Sequence, residues 1–385
     1  MSNTLDLRIK KDDTLFDIEK YNSQLFNNVR NVRMNLPRNY ETKLFNDSWI
    51  SSLIATAALQ GKHLTLTDVY ENSDVSNIAE HFSKSLVGIT SVCLANEIEN
   101  SKHEKLKFDI HKIIEGVAFK KGGLIDDWTS GHTVTFCSFD SKNSEMDYPR
   151  PLALSAETKD EFTEKFLRIK RDKIDKVFGA KNYFQRTLFE EPSTYEKEKS
   201  FANLIYELYE NTLQHGNKDE KSELIEGVRT FSIKKHISEN EENLKQQAQS
   251  FVELEGYLSK RSHKKFYEIS ITDNGVGIIK RFLASRPDYN LDADFTQLTD
   301  LEKINFIIEK SLSSKLFSGA GQGIKGALRS IQELNGFLSL RTNDLWIYFD
   351  GTDSLKDFSF NPVQTSMKLS DKRGTSYNIL IPIVS

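Results

Sequence analysis

Phe266-Tyr-Glu-Ile-Ser-Ile-Thr-Asp273-Asn-Gly275-Val-Gly277-Ile278 runs from an alternating segment straight into an acidic residue and two glycines. Tyr267, Ile269 and Ile271 share one face at period two, so the segment reads as a half-buried strand. A carboxylate fixed at a strand end can accept a hydrogen bond from the amino group of a bound base. Glycines beside it, having no Cβ, let the backbone approach that base closely. Asp-Asn-Gly is also the composition of an ordinary turn, so the reading depends on what the rest of the chain supplies.

Upstream, Phe201-Ala-Asn-Leu-Ile-Tyr-Glu-Leu-Tyr-Glu-Asn-Thr-Leu-Gln-His-Gly216 has a helical period. Leu204, Leu208 and Thr212 form one stripe, while Glu207, Asn211 and His215 recur every fourth residue on a second. A carboxamide oxygen on such a face is a hard donor suited to Mg²⁺, and a carboxylate one turn away can orient or deprotonate a nucleophile. An amphipathic helix with its polar face in water has the same pattern. Downstream, Ser313-Ser-Lys315-Leu-Phe-Ser-Gly319-Ala-Gly321-Gln-Gly323 is a glycine-rich stretch opening a helix that continues to about Leu334. Its backbone N–H groups and helix dipole suit phosphates. Gly-Lys-Ser/Thr of a P-loop is absent, and no strand immediately precedes it as in a dinucleotide fingerprint. Asn335-Gly336 should end that helix and Phe337-Leu-Ser-Leu-Arg341 start a strand. Gly374-Thr375 opens a terminal strand to Pro382, with a hydroxyl placed to share a water with Asp273 and the base.

In this order the four segments resemble the GHKL superfamily of gyrase B subunits, heat-shock chaperones, sensor histidine kinases, MutL proteins and anti-sigma kinases, over residues 195–385. The resemblance implies the Bergerat ATP-binding fold: a two-layer α/β sandwich, a mixed sheet with helices on one face, and ATP between the helix layer and a lid. It also implies roles. Glu207 matches the general base, Asn211 the Mg²⁺ ligand and Asp273 the adenine-reading carboxylate, with Gly275 and Gly277 beside it. Gly319, Gly321 and Gly323 match the lid glycines, and Thr375 the adenine-side threonine. Glu207, where sensor histidine kinases usually carry Asn, points to hydrolysis or hydroxyl phosphorylation. His215-Gly216 resembles the anti-sigma kinases, whereas Ser314-Lys315 is more similar to MutL, in which a lysine meets phosphate. His103-Glu104 is the only dipeptide resembling a phosphoacceptor histidine, and it lacks the residues that normally follow. The chain departs from the family in a long stretch between Asn217 and Lys265 and a long lid from Ile278 to Ser318.

The expected fold class is α+β, with an N-terminal α/β domain over 1–150, a connecting helix within 151–194 and the ATP-binding domain over 195–385. The first ~28 residues read as a helix or arm, and Asn31 to Leu36 as a short segment ended by Pro37. A helix follows from Trp49 to Leu59 with Gly61 as its cap, then a strand over His63–Thr67, which suggests a βαβ unit. Ile78 to Ile98 is helical in period, Thr133 to Phe139 alternates like a strand, and 140–151, with two prolines, is the candidate linker. This part loosely resembles STAS-type modules found beside such ATPases. Glu157 to Phe178 has helical spacing, and 239–249 reads as a solvated helix or insertion.

A net charge of −4 gives no global basic footprint of a dedicated nucleic-acid binder, though a local basic face is compatible with it. Two cysteines, Cys93 and Cys137, cannot build a disulfide framework and read as core thiols. No apolar stretch approaches the ~20 residues of a membrane span and the first residues do not read as a signal peptide, so a cytoplasmic protein is expected. The expected function is an Mg²⁺-dependent ATPase whose lid closure switches a partner protein, a homodimer contact or the N-terminal domain. Alternatives are a serine/threonine kinase of the anti-sigma type and a nucleotide-regulated binding module with negligible turnover.

Overall fold

The computed structural model describes residues 4–10, 12–27, 29–36, 43–67, 85–100, 102–106, 133–140, 158–169, 193–225, 227–237, 246, 248, 251–260, 265–312, 323–353 and 358–383. Its strands are β1 (Thr4–Arg8), β2 (Asn31–Asn35), β3 (His63–Thr67), β4 (Glu97–Glu99), β5 (Thr133–Asp140), β6 (Gly227–Ile237), β7 (Lys265–Thr272), β8 (Phe337–Asn343), β9 (Leu345–Asp350), β10 (Asn361–Pro362) and β11 (Lys372–Pro382). The α-helices are α1 (Leu15–Leu25), α2 (Asn46–Leu59), α3 (Leu86–Leu94), α4 (Lys159–Ile169), α5 (Ser193–His215), α6 (Val252–Ser259), α7 (Ile278–Ser285), α8 (Ala293–Gln297), α9 (Asp300–Glu309) and α10 (Gly323–Glu333). The class is α+β in the general sense, with one parallel sheet, one antiparallel sheet and helices.

The four N-terminal strands form a parallel sheet in sequence order, β1-β2-β3-β4. Register puts Leu7, Met34, Leu66 and Ile98 in one row, and Asp6, Arg33, Thr65 and Glu97 in the next. The apolar rows bury against helices, and the alternate positions are more exposed in β1 and β2 but buried at Thr65, Thr67 and Glu99. Thr14 starts α1 with a reciprocal capping box to Asp17, and Ser85 caps α3 through the Gly88 N–H. The opening residues thus include a strand as well as a helix. Leu5 and Leu7 give too short an alternation to announce it. The helix expected over 78–98 is described only from Leu86, and it stops at Leu94 because 97–99 joins the sheet.

The larger sheet has seven strands in the order β10-β9-β8-β11-β7-β6-β5. Every pairing is antiparallel, not mixed as expected. Thr133–Asp140, read as part of the N-terminal domain, is the edge strand of this sheet, paired with β6 along its whole length. Alternation alone gives a strand but not its partner. β6 itself comes from the stretch between Asn217 and Lys265, so that stretch supplies a sheet strand and α6. The candidate linker at 140–151 lies, but for Asp140, outside the described residues, as does most of 239–249.

Helices cover both faces of this sheet, where the family resemblance implies one. On the inner face, Leu204, Ile205 and Leu208 of α5 and Leu328 and Ile331 of α10 bury against Ile233, Ile269, Ile271, Leu340 and Ile379. Phe162 and Phe166 of α4 extend that core, with ring centroids 5.1 Å from Tyr206 and 6.0 Å from Phe201. The opposite face carries Glu268, Ser270, Ser339, Arg341, Ser376 and Asn378, all buried. There α2 packs on β11 and β7, and α6 on the β8–β9 end, where Trp346 meets Trp49 edge-on at 4.6 Å and Phe251 at a tilt at 4.9 Å. An almost wholly buried helix such as α2 is what a layer between two sheets requires.

Polar contacts make this docking specific. Ser52 Oγ lies 2.6 Å from Ser376 Oγ, Ser48 bonds Asn378, and the Phe45 N–H donates to Glu268 at 3.0 Å. Glu268 also pairs with His236 at 2.6 Å. Arg341 and Glu19 form an ion pair 2.5 Å apart, with side chains 0% and 2% exposed. Removing one partner of a buried pair strands the other charge. We therefore expect Glu19→Ala to lower unfolding free energy by about 3–5 kcal/mol in urea titrations; a loss under about 1 kcal/mol would put this pair in the class of surface salt bridges.

Candidate functional site

The inner-face helix α5 presents Glu207 and Asn211 to the start of α10. A Cβ on Gly323 would lie 3.1 Å from Asn211 Oδ1 and 3.5 Å from Glu207 Oε2, and one on Gly326 would lie 3.5 Å from Glu207 Oε1. Gly323 is the first residue of α10, and Asn335-Gly336 ends that helix before β8, as the sequence predicts. Glu207 Oε1 also meets Lys159 Nζ, at the first residue of α4, at 2.5 Å. Asn211 Nδ2 is buried and has no hydrogen-bond partner among the described residues. An orphaned buried amide costs stability unless a ligand or solvent group satisfies it.

Past Asn211, α5 runs about 7.5 Å further to Gly216 at the standard helical rise, and here it meets Asp273. A Cβ on Gly216 would fall 2.5 Å from Asp273 Cβ, and one on Gly275 would fall 2.9 Å from Gly216 Cα. The end of the helix and the turn after β7 therefore touch backbone to backbone. Gly374, at φ 78°, closes the same knot: its N–H donates to Gly275 O at 2.7 Å, and a Cβ there would overlap Asp273 O. Only glycine fits such approaches. Asp273 Oδ1 accepts the N–H groups of Gly275 at 3.0 Å and Thr375 at 3.2 Å, and the Asp273 N–H donates to Thr375 O at 3.0 Å.

Three of the four sequence segments are thus brought together by contacts of named atoms, and Gly323 of the fourth joins them at Asn211. Ser314, Lys315, Gly319 and Gly321 lie outside the described residues. His215 is the last residue of α5. His103 lies in the turn after β4, with Nδ1 3.3 Å from Glu99 on the same sheet, and is no part of this constellation. Cys93 packs at the margin of the N-terminal core, and burial pushes its thiol up to about 12, which fits the expected inert core role.

Two residues at the end of β8 were not singled out from sequence. Thr342 Oγ1 accepts the Ile278 N–H at 3.3 Å and lies 3.4 Å from Thr375 Oγ1. Asn343 donates to Val276 O and to Asp371, both at 2.9 Å. Gly277, at φ 88°, passes so close that a Cβ would come 2.0 Å from Asn343 Oδ1. The signal was present as Thr342-Asn343 closing an alternating strand, a mirror of the Thr375 position. Asn274 is an anchor: its Oδ1 takes the Val228 N–H at 2.7 Å and ties the turn to β6. The long segment after Gly277 is partly a folded unit with its own aromatic core, in which Tyr289 stands 5.1 Å from Phe295 and 5.2 Å from Phe282.

Burial raises the Asp273 carboxyl to about 6, against the opposing pull of the Gly275 and Thr375 N–H groups and of Arg229 and Lys372. Lys372 is itself driven well below the ordinary lysine range by burial and by Arg341, with Nζ bonded to Ser376 Oγ at 3.0 Å. Among the described residues no cluster of three or more His, Cys, Asp or Glu side chains is arranged for a metal. A cation here would draw on the Asn211 amide oxygen and on oxygens of its own ligand. No helix among the described residues is long and apolar enough to cross a membrane. Compared with family models, with curated proteins and with solved structures, the chain matches none of them.

The raised Asp273 value has a stability consequence with a definite sign. The folded form holds its proton up to about pH 6 while the unfolded carboxyl releases it near 3.8, so stability falls as pH rises through that window. Asp273→Asn keeps an oxygen for Gly275 and Thr375 but removes the ionisation. Between about pH 4 and pH 7 the stability difference should move in the variant's favour by on the order of 3 kcal/mol, read from denaturant titrations at several pH values. Parallel pH profiles would show that this carboxylate is not buried as described.

Proposed function

We propose that the chain binds Mg·ATP along the inner-face helix α5 and hydrolyses it, with a Bergerat-type arrangement of α5 and α10 over the antiparallel sheet. The observation that carries this reading is the glycine knot that joins Asp273 to the end of the helix bearing Glu207 and Asn211. It ties Asp273 to the C-terminal end of α5, with Asn211 and Glu207 further back along the same helix, which supports assigning base reading to the one and metal and water to the others. In this reading Asp273 Oδ2 accepts the adenine amino group, while the Thr375 and Thr342 hydroxyls hold a shared water. Gly275 and Gly277 let the backbone lie against the base.

At the other end Asn211 gives one oxygen to Mg²⁺, and its orphaned Nδ2 gains a phosphate oxygen to donate to. Asn211 would hold Mg²⁺ through its amide oxygen, and the ion would supply charge neutralisation at the phosphates. Glu207 orients water for in-line attack and takes its proton. Lys315 and the N–H groups around Gly319, Gly321 and Gly323 steady the developing charge, a role proposed from their place in the sequence. Closure of that segment over nucleotide would alter a partner or homodimer surface. The same Glu207 would activate a serine or threonine hydroxyl if a partner protein, not water, were the acceptor.

The test is nucleotide binding and phosphate release by wild type beside three variants. Glu207→Ala should keep ATP affinity and lose phosphate release by about 10²–10⁴-fold. Asn211→Ala should lose the Mg²⁺ dependence of binding, and Asp273→Asn should weaken ATP and leave a non-adenine triphosphate such as GTP unaffected. Phosphate release that survives Glu207→Ala sinks the hydrolytic assignment. Label transferred from γ-labelled ATP to a partner protein moves the function to the kinase class. Absence of ATP binding by the wild type ends the nucleotide reading.

A further inference from the structure

We propose that Lys159 reads the terminal phosphate of the nucleotide, and that its ion pair with Glu207 is the state this lysine holds when no such phosphate is present. The inference rests on the ATP reading of the site and adds to it a residue from outside the four segments. Lys159 opens α4, forty-eight positions before Glu207 in sequence. Its backbone is held in place by the Phe162 and Phe166 rings, which lie 5.8 Å apart and pack on Tyr206 and Phe201 of α5. Its side chain is 40% exposed and its ammonium sits 5.9 Å from the Tyr206 ring centroid, so the four-carbon stem can swing while the base of the residue stays fixed.

Three features separate this contact from a routine surface ion pair. Its carboxylate partner is only 16% exposed. That carboxylate lies one helical turn from Asn211, whose buried Nδ2 has no partner among the described residues. At the start of α10, Gly323 sits so near that a Cβ there would lie 3.1 Å from Asn211 Oδ1 and 3.5 Å from Glu207 Oε2. A positive side chain, an amide and a helix N-terminus therefore converge on one spot. A carboxylate oxygen that accepts the Lys159 ammonium is occupied on that side and is not free to receive a water molecule there. A terminal phosphate carries more negative charge than a carboxylate, offers three oxygens and draws the lysine to itself. Glu207 is then released to face water. ADP ends short of this position and leaves the lysine on Glu207.

The test compares Mg·ATP and Mg·ADP affinities for the full chain as wild type, Lys159→Met and Lys159→Arg, with thermal melts of each without nucleotide. The expected result is a loss of ATP affinity on the order of 10-fold or more for Lys159→Met, ADP affinity unchanged within about twofold, and recovery of ATP affinity in Lys159→Arg. Equal losses for both nucleotides would make Lys159 a structural residue and overturn the proposal, as would an unchanged ATP-to-ADP ratio. If wild type binds ATP and Asp273→Asn weakens it while Lys159→Met does not, the lysine assignment alone falls. If wild type binds neither nucleotide, both fall together.

Discussion

The seven-stranded sheet has two buried faces, and one of them is polar. Glu268, Ser270, Arg341, Ser376 and Asn378 cannot be left without partners in a dry interior, because each unpaired group would cost about 1–3 kcal/mol and a stranded charge more. The N-terminal helix layer supplies partners in Ser48, Ser52, the Phe45 N–H and Glu19, Ser270 donates to Asn378 Oδ1, and Asn378 Nδ2 stays without a partner among the described residues. Apolar packing of Trp49, Trp346 and Phe251 supplies the area, and the hydroxyls and ion pairs select one register. A helix with bulky apolar residues in place of those serines could not approach the sheet so closely.

This constraint reaches the candidate site through β11. Lys372 and Ser376 of that strand face the N-terminal layer, the Arg373 N–H donates to Thr56 Oγ1 at 3.2 Å, and Gly374-Thr375 between them grip Asp273. Any displacement of Gly374 must therefore be shared with α2. The buried lysine and the buried aspartate each feel the other's charge, so the electrostatics of the two faces are joined through the thickness of one strand. Such a strand is rigid by construction, paired on both sides and packed above and below.

The candidate site was more legible than the architecture. Glu207 and Asn211 at spacing four, Asp273 before paired glycines, and Gly374-Thr375 opening a strand are local patterns, and the contacts of Gly216, Gly275 and Gly374 bring them together as atoms. Thr342 and Asn343 close an alternating strand as Thr375 opens one, but no glycine or acidic residue beside them distinguishes that strand end from any other, and their role shows only in the contacts with Ile278, Thr375 and Val276. Lys159 escaped because a lone lysine at a helix start is commonplace, and its significance lies in a carboxylate far along the chain. β5 was readable as a strand and was placed with the wrong sheet, since period-two alternation records burial and says nothing of the neighbour.

β7 shows where the division falls. Its alternation of Tyr267, Ile269 and Ile271 with Glu268, Ser270 and Thr272 determined by itself that this is a strand, which face is greasy and where it turns. The sequence likewise set the helical stripes of α5 and the glycine positions that permit close backbone approach. Only the tertiary structure decided that the polar face is covered, that the sheet is antiparallel throughout and that an N-terminal layer stands against it. The reason is physical. Local pattern encodes a residue's preference for water or for neighbours, whereas a polar side chain satisfied by Ser52 or Glu19 has the same sequence signature as one satisfied by solvent.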